Sequence, residues 1–497
     1  MFSSVFALLS LVCSAQSMTL LRGGTFITYS DSTSNLEIVT EGAMLFNDTI
    51  IAISQTIDGL DSQSNSDVQI VNTTGKIISP GFIDTHRHTW QTAMRTLGPN
   101  VQLENYAWLF GTTGPAPLIF SPDDIHTASL MGTLEALNAG VTTSLDFAHV
   151  TWTRAHADAA LQGVIDSGAR VWWCYNVGPV VISGEPFTGT APIDQLAHIR
   201  ELAKDSPFNK GLVTLGIASD PPTTEVIETA LNVSINVITA HDVEGPFPQT
   251  NNLTPGNPTL NSSLAFVFAH ASQFTTAEAR LLREFNQYVS ITPESEMHYG
   301  LGHPSSYLIQ DQSALGVDTH FTFSIDIIGQ MRIWLQSTRL GLYQETLDRF
   351  KIPSNTPMTV RQAFLLGTRN GGLALKRPDL GVLREGAKAD VLVFSTDAIG
   401  LVGWSDPVAA IVLHSNVADI EDIYVDGELI KKGGKLVVDW QGEGFGNKLR
   451  ESAIKFRDAL AKTNITAFEV GVKGSLTDRD FQDPFQVDVT RGDGTGF

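Results

Sequence analysis

The sequence is poor in cysteine. It contains two, Cys13 and Cys174, among 497 residues. If the N-terminal segment is removed, only Cys174 remains, and no intrachain disulfide can form. Cys174 lies in the apolar run "VWWCYNV", which favours a core position over a role as a nucleophile.

Positive charge is also scarce. There are 32 lysines and arginines against 53 aspartates and glutamates, which gives a net charge of −21. A surface of this sign repels phosphate backbones and anionic lipids, so neither nucleic acid nor a membrane is an expected partner. Hydrophobic residues make up 42% and charged residues 17% of the chain, as in a folded protein with a large core. A homo-oligomer is compatible with this composition.

Long apolar runs are missing after the N-terminus, and none approaches the length that spans a bilayer. The first seventeen residues, "MFSSVFALLSLVCSAQS", resemble a secretory signal peptide that lacks the usual positive start. Six Asn-x-Ser/Thr sequons also favour a secreted glycoprotein; they begin at Asn47, Asn72, Asn232, Asn252, Asn261 and Asn464. Two alternatives stay open: a buried N-terminal strand, or a cytoplasmic chain that starts at Met18.

The middle of the chain alternates apolar β-type runs with helical segments. Eight runs stand out: "IISPGFIDTH", "GVTTSLDF", "ARVWWCYNVG", "GLVTLGIASD", "INVITAH", "LAFVFAH", "QYVSIT" and "ALGVD". They are continuously apolar, which is typical of parallel strands buried on both faces. Helix signals lie between them: Ser121 and Pro122 open one segment, and Thr275 has the capping-box spacing to Glu278 in another. The alternation predicts an α/β fold, a (β/α)8 TIM-type barrel from about 76 to 375.

The two flanks have a different sequence pattern, in which short β-type runs are separated by turn residues. Residues 18–75 contain "TFITY", "AMLFNDTIIAIS" and "VQIVN"; residues 376–440 contain "ADVLVF", "AAIVLH", "IEDIYVDGELI" and "KLVVDW". Neither flank has enough strands to be stable alone. Together they predict one small β-sandwich domain into which the barrel is inserted. Residues 1–17 would precede this domain as a signal peptide. A C-terminal extension, 441–497, would follow it and carry one helix at "NKLRESAIKFRDALAKT".

Histidines and an aspartate mark the ends of the predicted barrel strands. All strands of a parallel barrel end at the same mouth, where active sites are built. His86 and His88, two residues apart, point to the same face of the first strand. His241, His270 and Asp318 end the fifth, sixth and eighth runs. Neutral imidazoles with one carboxylate suit Zn²⁺, or Fe²⁺ in a similar geometry, so the sequence predicts one divalent metal per chain.

The ordered motifs "PGFIDTHRH", "TAHDVE", "FAHAS", "LGVD" and "GVLREGAKADVLVF" resemble those of the amidohydrolase superfamily, and most nearly its cytosine-deaminase and triazine-hydrolase (chlorohydrolase-like) branch. The resemblance covers about residues 18–440. It implies a metal-bearing barrel with a β-domain made from both flanks. The fourth run ends in "ASDPP", without the lysine that binuclear members carry there, so a mononuclear site is expected.

The resemblance also implies roles for individual residues. His86, His88, His241 and Asp318 would hold the metal, and Asp318 would accept a proton from the attacking water. Glu244 would pass a proton to the leaving nitrogen or to the ring. His270 would position the water or touch the substrate, and whether it also ligates the metal stays open. Arg87, between the first two histidines, should face away from the barrel lumen and needs a buried partner.

Weaker candidates surround the predicted mouth. Trp90 and Gln91 follow the histidine pair and could contact the substrate, as could Glu296 and His298 in "TPESEMHYG". His320, just past Asp318, is the last candidate for a substrate contact.

The predicted function is metal-dependent hydrolysis of a non-peptide C–N bond in a small molecule, with deamination of a heterocyclic or aminated compound as the leading form. Hydrolysis of a cyclic amide, a ureide or an aromatic halide would use the same site. A lyase or decarboxylase is a further alternative. A non-catalytic binding protein is disfavoured because no ligand position has been lost.

Overall fold

The computed structural model describes most of the chain. The described residues are 18–55, 68–111, 114–182, 185–186, 190–243, 245–247, 253–254, 256–257, 259–260, 263–302 and 306–462. The predicted signal peptide, the sequons at Asn252, Asn261 and Asn464, and the predicted proton shuttle Glu244 lie outside them.

Eight strands form one parallel sheet in the middle of the chain, and each falls in one of the eight predicted runs or extends past it by one residue. They are β6 (Phe82–Arg87), β7 (Val141–Ala148), β8 (Arg170–Asn176), β11 (Val213–Ala218), β12 (Val237–Asp242), β13 (Ala265–His270), β14 (Tyr288–Ile291) and β15 (Ser313–Leu315). Their order in the sheet is the order of the chain. This arrangement confirms the (β/α)8 prediction, and most residues of these strands are buried, as parallel strands covered on both faces require.

The barrel closes where the chain after β15 meets the end of β6. Arg87 and Asp318 form a parallel bridge. The His88 N–H donates to the carbonyl of Asp318 at 3.0 Å, and the Asp318 N–H donates to the carbonyl of His86 at 2.9 Å. This closing seam therefore consists of the backbone of predicted site residues.

Strands from both flanks join in a second sheet of nine strands. They are β1 (Met18–Ser30), β2 (Asn35–Phe46), β3 (Ile50–Ser54), β4 (Val68–Asn72), β5 (Ile77–Pro80), β16 (Val391–Phe394), β17 (Ile420–Val425), β18 (Glu428–Lys432) and β19 (Lys435–Leu436). The order is β19-β18-β17-β16-β5-β1-β2-β3, and β4 pairs with β1. The antiparallel pairing of β5 with β16 joins the two flanks. The remaining two strands, β9 (Val181–Ile182) and β10 (Glu185–Pro186), form a separate hairpin.

Thirteen α-helices occur in the described part of the chain. They are α1 (Leu103–Leu109), α2 (Ala116–Ile119), α3 (Pro122–Asn138), α4 (Arg154–Asp166), α5 (Pro192–Leu202), α6 (Thr224–Asn232), α7 (Thr276–Glu284), α8 (Pro293–His298), α9 (Ile327–Leu347), α10 (Val360–Leu366), α11 (Arg369–Ala374), α12 (Pro407–Ala409) and α13 (Phe445–Lys462). The capping boxes at Ser121 and Thr275 confirm two predicted helix starts. No helix among the described residues combines the length and apolar character that a bilayer span needs.

One predicted β-type run is wrong. "AAIVLH" does not join the sheet: it continues α12 as a π-helical turn, Ala410–His414. The side chain of Asp406 accepts the N–H groups of Val408 and Ala409, and Pro407 occupies the first turn. This cap and the proline favour a helix start strongly enough to override the β-branched residues that follow.

The predicted C-terminal helix is present as α13 and packs on the barrel. Its Phe456 is fully buried and stacks on Phe120 with a centroid distance of 5.0 Å. Ser452 and Lys455 both bind the carboxylate of Asp124 on α3, at 2.6 and 2.7 Å. The extension is thus anchored to the barrel near the segment that follows the histidine pair.

A buried ion cluster joins the barrel to the nine-stranded sheet. Arg170, the first residue of β8, binds Asp390 just before β16 and Asp426 in the turn after β17, the latter at 2.8 Å. The side chains of Arg170 and Asp390 are 4% and 3% exposed. Lys388 adds contacts to Asp426 and Asp48 at 2.8 and 3.1 Å.

Replacing Arg170 with alanine is expected to lower the free energy of unfolding by about 3–5 kcal/mol, since the buried Asp390 loses its partner. Denaturant unfolding followed by circular dichroism measures this. Arg283→Ala is the matched control because its partner Asp311 is exposed, and such surface pairs contribute about 0–1 kcal/mol. Equal losses in both variants would show that this cluster does not stabilise the junction.

Candidate metal centre

Four predicted site residues converge at the carboxyl ends of the barrel strands. His86 lies on β6, His241 on β12 and His270 at the end of β13, and Asp318 follows β15. One ligand atom from each lies within 4.8 Å of the others. Two nitrogens bound to one ion at about 2.0–2.1 Å lie at most about 4.2 Å apart, so small side-chain shifts would bring the four atoms onto one ion. Residues separated by up to 232 positions therefore meet as a potential metal site because their strands end at the same rim.

His88, which follows the end of β6, reaches the same carboxylate. Its Nε2 lies 3.0 Å from Oδ1 of Asp318, and its Nδ1 lies 3.0 Å from the carbonyl of Phe147. A carbonyl accepts only, so Nδ1 carries a proton and Nε2 is the nitrogen that faces the carboxylate. A lone pair facing a carboxylate oxygen at this distance is favourable only when a cation, either a proton or a metal ion, lies between them.

Two carboxylates fix the rings of the downstream histidines. Nδ1 of His241 lies 2.7 Å from Oδ2 of Asp220, and Nδ1 of His270 lies 3.2 Å from Oε1 of Glu296. In each pair the histidine donates from Nδ1, which leaves Nε2 as an acceptor. Carboxylates that hold the distal nitrogen of a metal-ligating histidine are a common feature of metal sites, and the donor set fits a divalent ion such as Zn²⁺.

His86 tests most directly whether these side chains suit a divalent ion. It is fully buried, and neither ring nitrogen has a hydrogen bond within the described residues; Nε2 lies 3.3 Å from Oδ1 of Asp318. Burial lowers the pKa of His86 well below its usual value, so the ring is neutral. A buried polar group without a partner costs about 1–3 kcal/mol, and coordination to a metal would remove this penalty.

Asp318 is held as a carboxylate. Burial by itself raises its pKa, but the neighbouring His86 and His88 outweigh burial and hold the pKa of Asp318 well below its usual value. For His270, burial acts to lower the pKa, and the nearby Glu296 and Asp318 carboxylates raise it instead. The centre therefore combines an anionic ligand with imidazoles whose orientation the protein determines.

The backbone is strained at two of these residues. His270 has a φ of 71° and Asp318 a φ of 67°, in the left-handed region that costs roughly 1–2 kcal/mol for residues with a Cβ atom. Such conformations persist where the surrounding structure enforces them, and they cluster at functional sites. Here they turn both side chains at the rim of the barrel, where the chain leaves its strands.

Comparisons with known proteins agree with this geometry. The Amidohydrolase family profile matches residues 77–243, which contain the histidine pair and His241. Over this segment the chain is similar to the amidohydrolase family. Among curated relatives, a 5-methylthioadenosine/S-adenosylhomocysteine deaminase of Thermococcus sibiricus is 25% identical and covers 83% of this chain and 94% of its own length. A 5'-deoxyadenosine deaminase of Methanothermobacter thermautotrophicus is 24% identical, covering 80% and 91%.

Solved structures share the fold of this chain. Atrazine chlorohydrolase from Arthrobacter aurescens TC1, complexed with zinc, has a TM-score of 0.72 at 20% identity and covers 88% of this chain and all of its own. A zinc-bound adenosine deaminase from Xanthomonas campestris has a TM-score of 0.71 at 16% identity, covering 90% and 99%.

The predicted substrate contacts lie around the centre, and most of them are hydrogen-bonded to other protein groups. Trp90 is 1% exposed and donates from Nε1 to His149 at 2.9 Å. Gln91 donates to the hydroxyl of Tyr106 at 3.0 Å. Nε2 of His298 lies 3.1 Å from the carbonyl of Val101. Their role in substrate binding stays a prediction.

His320 and Glu296 are the other two predicted contacts. Nδ1 of His320 lies 3.0 Å from the hydroxyl of Thr92, whereas its buried Nε2 has no hydrogen bond within the described residues. Oε1 of Glu296 accepts from Thr292 as well as from His270. Glu244 lies outside the described residues.

Sequence reasoning missed several residues that touch the centre. Asp220 ends the fourth run, and its place at a strand end was the available signal. Ser295 donates from its hydroxyl to Oδ2 of Asp318, and no local pattern marks it. His149 lies against His88 with a centroid distance of 4.1 Å. The missing partner of Arg87 is Asp84, whose Oδ2 is 3.2 Å from Nε.

Proposed function

We propose that this protein is a metal-dependent deaminase of the amidohydrolase family that releases ammonia from the adenine ring of a 5'-modified adenosine. The observation that carries the proposal is the convergence of His86, His241, His270 and Asp318 within 4.8 Å. The named deaminase relatives, which span most of the chain, support hydrolysis of a C–N bond. The names of these relatives give adenosine derivatives as their substrates, and the proposed substrate class is taken from those names.

The chain's own residues would share the chemistry as follows. His86, His88, His241 and Asp318 would hold one Zn²⁺ or Fe²⁺, which would supply the Lewis acidity that lowers the pKa of water. Asp318, held as a carboxylate, would take the proton from the attacking water. Glu244 would deliver a proton to the ring nitrogen, and His270, oriented by Glu296, would direct the water at the ring carbon.

A substrate panel tests the proposal. Purified protein with its metal content measured would be given 5'-deoxyadenosine, 5'-methylthioadenosine, S-adenosylhomocysteine, adenosine, guanine and a chlorotriazine. Ammonia from one of the first three is the expected result. Release of chloride alone would favour halide hydrolysis, and no reaction from metal-loaded protein would contradict the deaminase assignment.

Glu244→Gln is expected to keep the metal and to lower kcat by roughly 10²- to 10⁴-fold, because glutamine cannot pass the proton. Ammonia release and metal analysis on the same preparation measure both effects. Glu225→Gln, on the barrel's outer helix α6, is the control and should behave as the parent. Undiminished turnover in Glu244→Gln would remove that residue from the mechanism.

We also propose that the chain enters the secretory pathway, which rests on the N-terminal segment and the sequons. The sequons at Asn72 and Asn232 are exposed, and that at Asn47 is half-buried. Sequencing the N-terminus of the protein from its native source would decide this, since a start at Met1 contradicts cleavage.

A further inference from the structure

The short helix α8 carries two consecutive polar residues that reach the metal centre. Ser295 is fully buried and Glu296 is 1% exposed, whereas the next residue, Met297, is 51% exposed. Burying a hydroxyl and a carboxylate is costly unless both are hydrogen-bonded. Both are: Ser295 donates to Oδ2 of Asp318, and Glu296 accepts from His270.

Glu296 is itself locked by the start of the helix. The backbone N–H and the hydroxyl of Thr292 donate to its Oε1 at 2.8 and 3.0 Å. Oε1 is also the atom that receives Nδ1–H of His270 at 3.2 Å. Three donors to one oxygen hold the carboxylate of Glu296 in place. The carboxylate in turn holds the ring of His270 in one orientation and one tautomer.

The two carboxylate oxygens of Asp318 have different partners. Oδ1 faces Nε2 of His86 and of His88, and Oδ2 is bound by the serine hydroxyl. A hydroxyl can donate to a carboxylate oxygen or accept from a protonated one. The contact with Ser295 therefore survives when Oδ2 gains a proton, and the carboxyl group does not need to turn.

We propose that Ser295 and Glu296 are positioning residues: Ser295 fixes the carboxylate of Asp318, and Glu296 fixes the imidazole of His270. The inference rests on the proposed metal-dependent function and deepens it. One six-residue helix, α8, would then orient both His270 at the end of β13 and Asp318 after β15. A displacement of α8 would misplace both side chains.

The first experiment compares Ser295→Ala, Ser295→Thr and the control Met297→Ala in protein loaded with Co²⁺. Ser295→Ala is expected to bind Co²⁺ roughly 10- to 100-fold more weakly and to change the visible absorption of the bound ion. Its kcat should fall by a similar factor with little change in KM, because the lost contact orients a reacting group. Ser295→Thr restores the hydroxyl and should return these values toward the parent, and Met297→Ala should match the parent.

The second experiment separates shape from hydrogen bonding at Glu296. Glu296→Gln keeps an oxygen that can accept Nδ1–H of His270, whereas Glu296→Leu keeps the approximate volume and removes the acceptor. The leucine variant is expected to lose roughly 10- to 100-fold in kcat, and the glutamine variant less. This comparison also stands if Ser295→Ala does not fold.

The outcomes are distinguishable. A parent protein that takes up Co²⁺ and is active, with Ser295→Ala and Glu296→Leu matching it in spectrum, affinity and kcat, would overturn the positioning roles alone. A parent that takes up no Co²⁺ would overturn the proposed function and this inference with it. If Ser295→Thr were as impaired as Ser295→Ala, packing at this position rather than its hydroxyl would be responsible, which would also overturn the role of Ser295.

Discussion

Asp318→Asn is expected to lower kcat for deamination by roughly 10⁴-fold, the upper end of what a positioned base contributes. Asparagine nearly matches the shape of aspartate and tolerates the left-handed backbone, here a φ of 67°. The fold should therefore survive while the charge is lost. The neutral amide is too weakly basic to accept a proton from water. It also has no negative charge to balance that of a divalent ion.

The measurement is steady-state ammonia release together with metal content and thermal unfolding. Asp311→Asn is the matched control, because Asp311 is 56% exposed and pairs with Arg283 at the surface. The control should retain the parent's activity. A metal-loaded Asp318→Asn that turned over like the parent would show that another group accepts the proton.

Removing the metal with a chelator is expected to abolish activity and to lower the melting temperature. Without an ion, Nε2 of His88 and Oδ1 of Asp318, 3.0 Å apart, would need a proton between them, and buried His86 would keep no hydrogen bond within the described residues. An ion that binds only the folded state at a thousandfold excess over its Kd stabilises that state by about 4 kcal/mol.

Re-addition of single metals tests the donor set. Zn²⁺, Co²⁺ or Fe²⁺ should restore ammonia release and the melting temperature. Mg²⁺ should restore neither, because it prefers oxygen ligands and this centre is rich in imidazole. Full activity in protein from which all detectable metal has been removed would contradict the metal-dependent mechanism.

The fold was predictable from the sequence at positions where a local pattern of residues is typical of one kind of strand or helix end. The eight apolar runs became the eight barrel strands because only a strand covered on both faces is continuously apolar. The capping residues Ser121 and Thr275 marked helix starts for equally local reasons. At "AAIVLH" the β-branched composition misled, since a cap three residues earlier decides the conformation there.

The ligands were predictable for the same reason, and the residues that hold them were not. His86, His241, His270 and Asp318 each sit at or just after the end of a run, so position alone selects them. Asp220 ends a run, but its partner His241 is 21 residues away, and the local pattern does not reveal that pairing. Ser295 binds a ligand 23 residues away and has no local signal at all. Only the packing of α8 against the rim brings Ser295 to Asp318.

The closing seam of the barrel has an evolutionary consequence. The same peptide groups that join the first strand to the last belong to His86, His88 and Asp318. A change that shifted these ligands to suit a new substrate would also open the barrel wall. We therefore expect substitutions that change the accepted substrate to be tolerated more readily in the segments beyond the strand ends than in this seam.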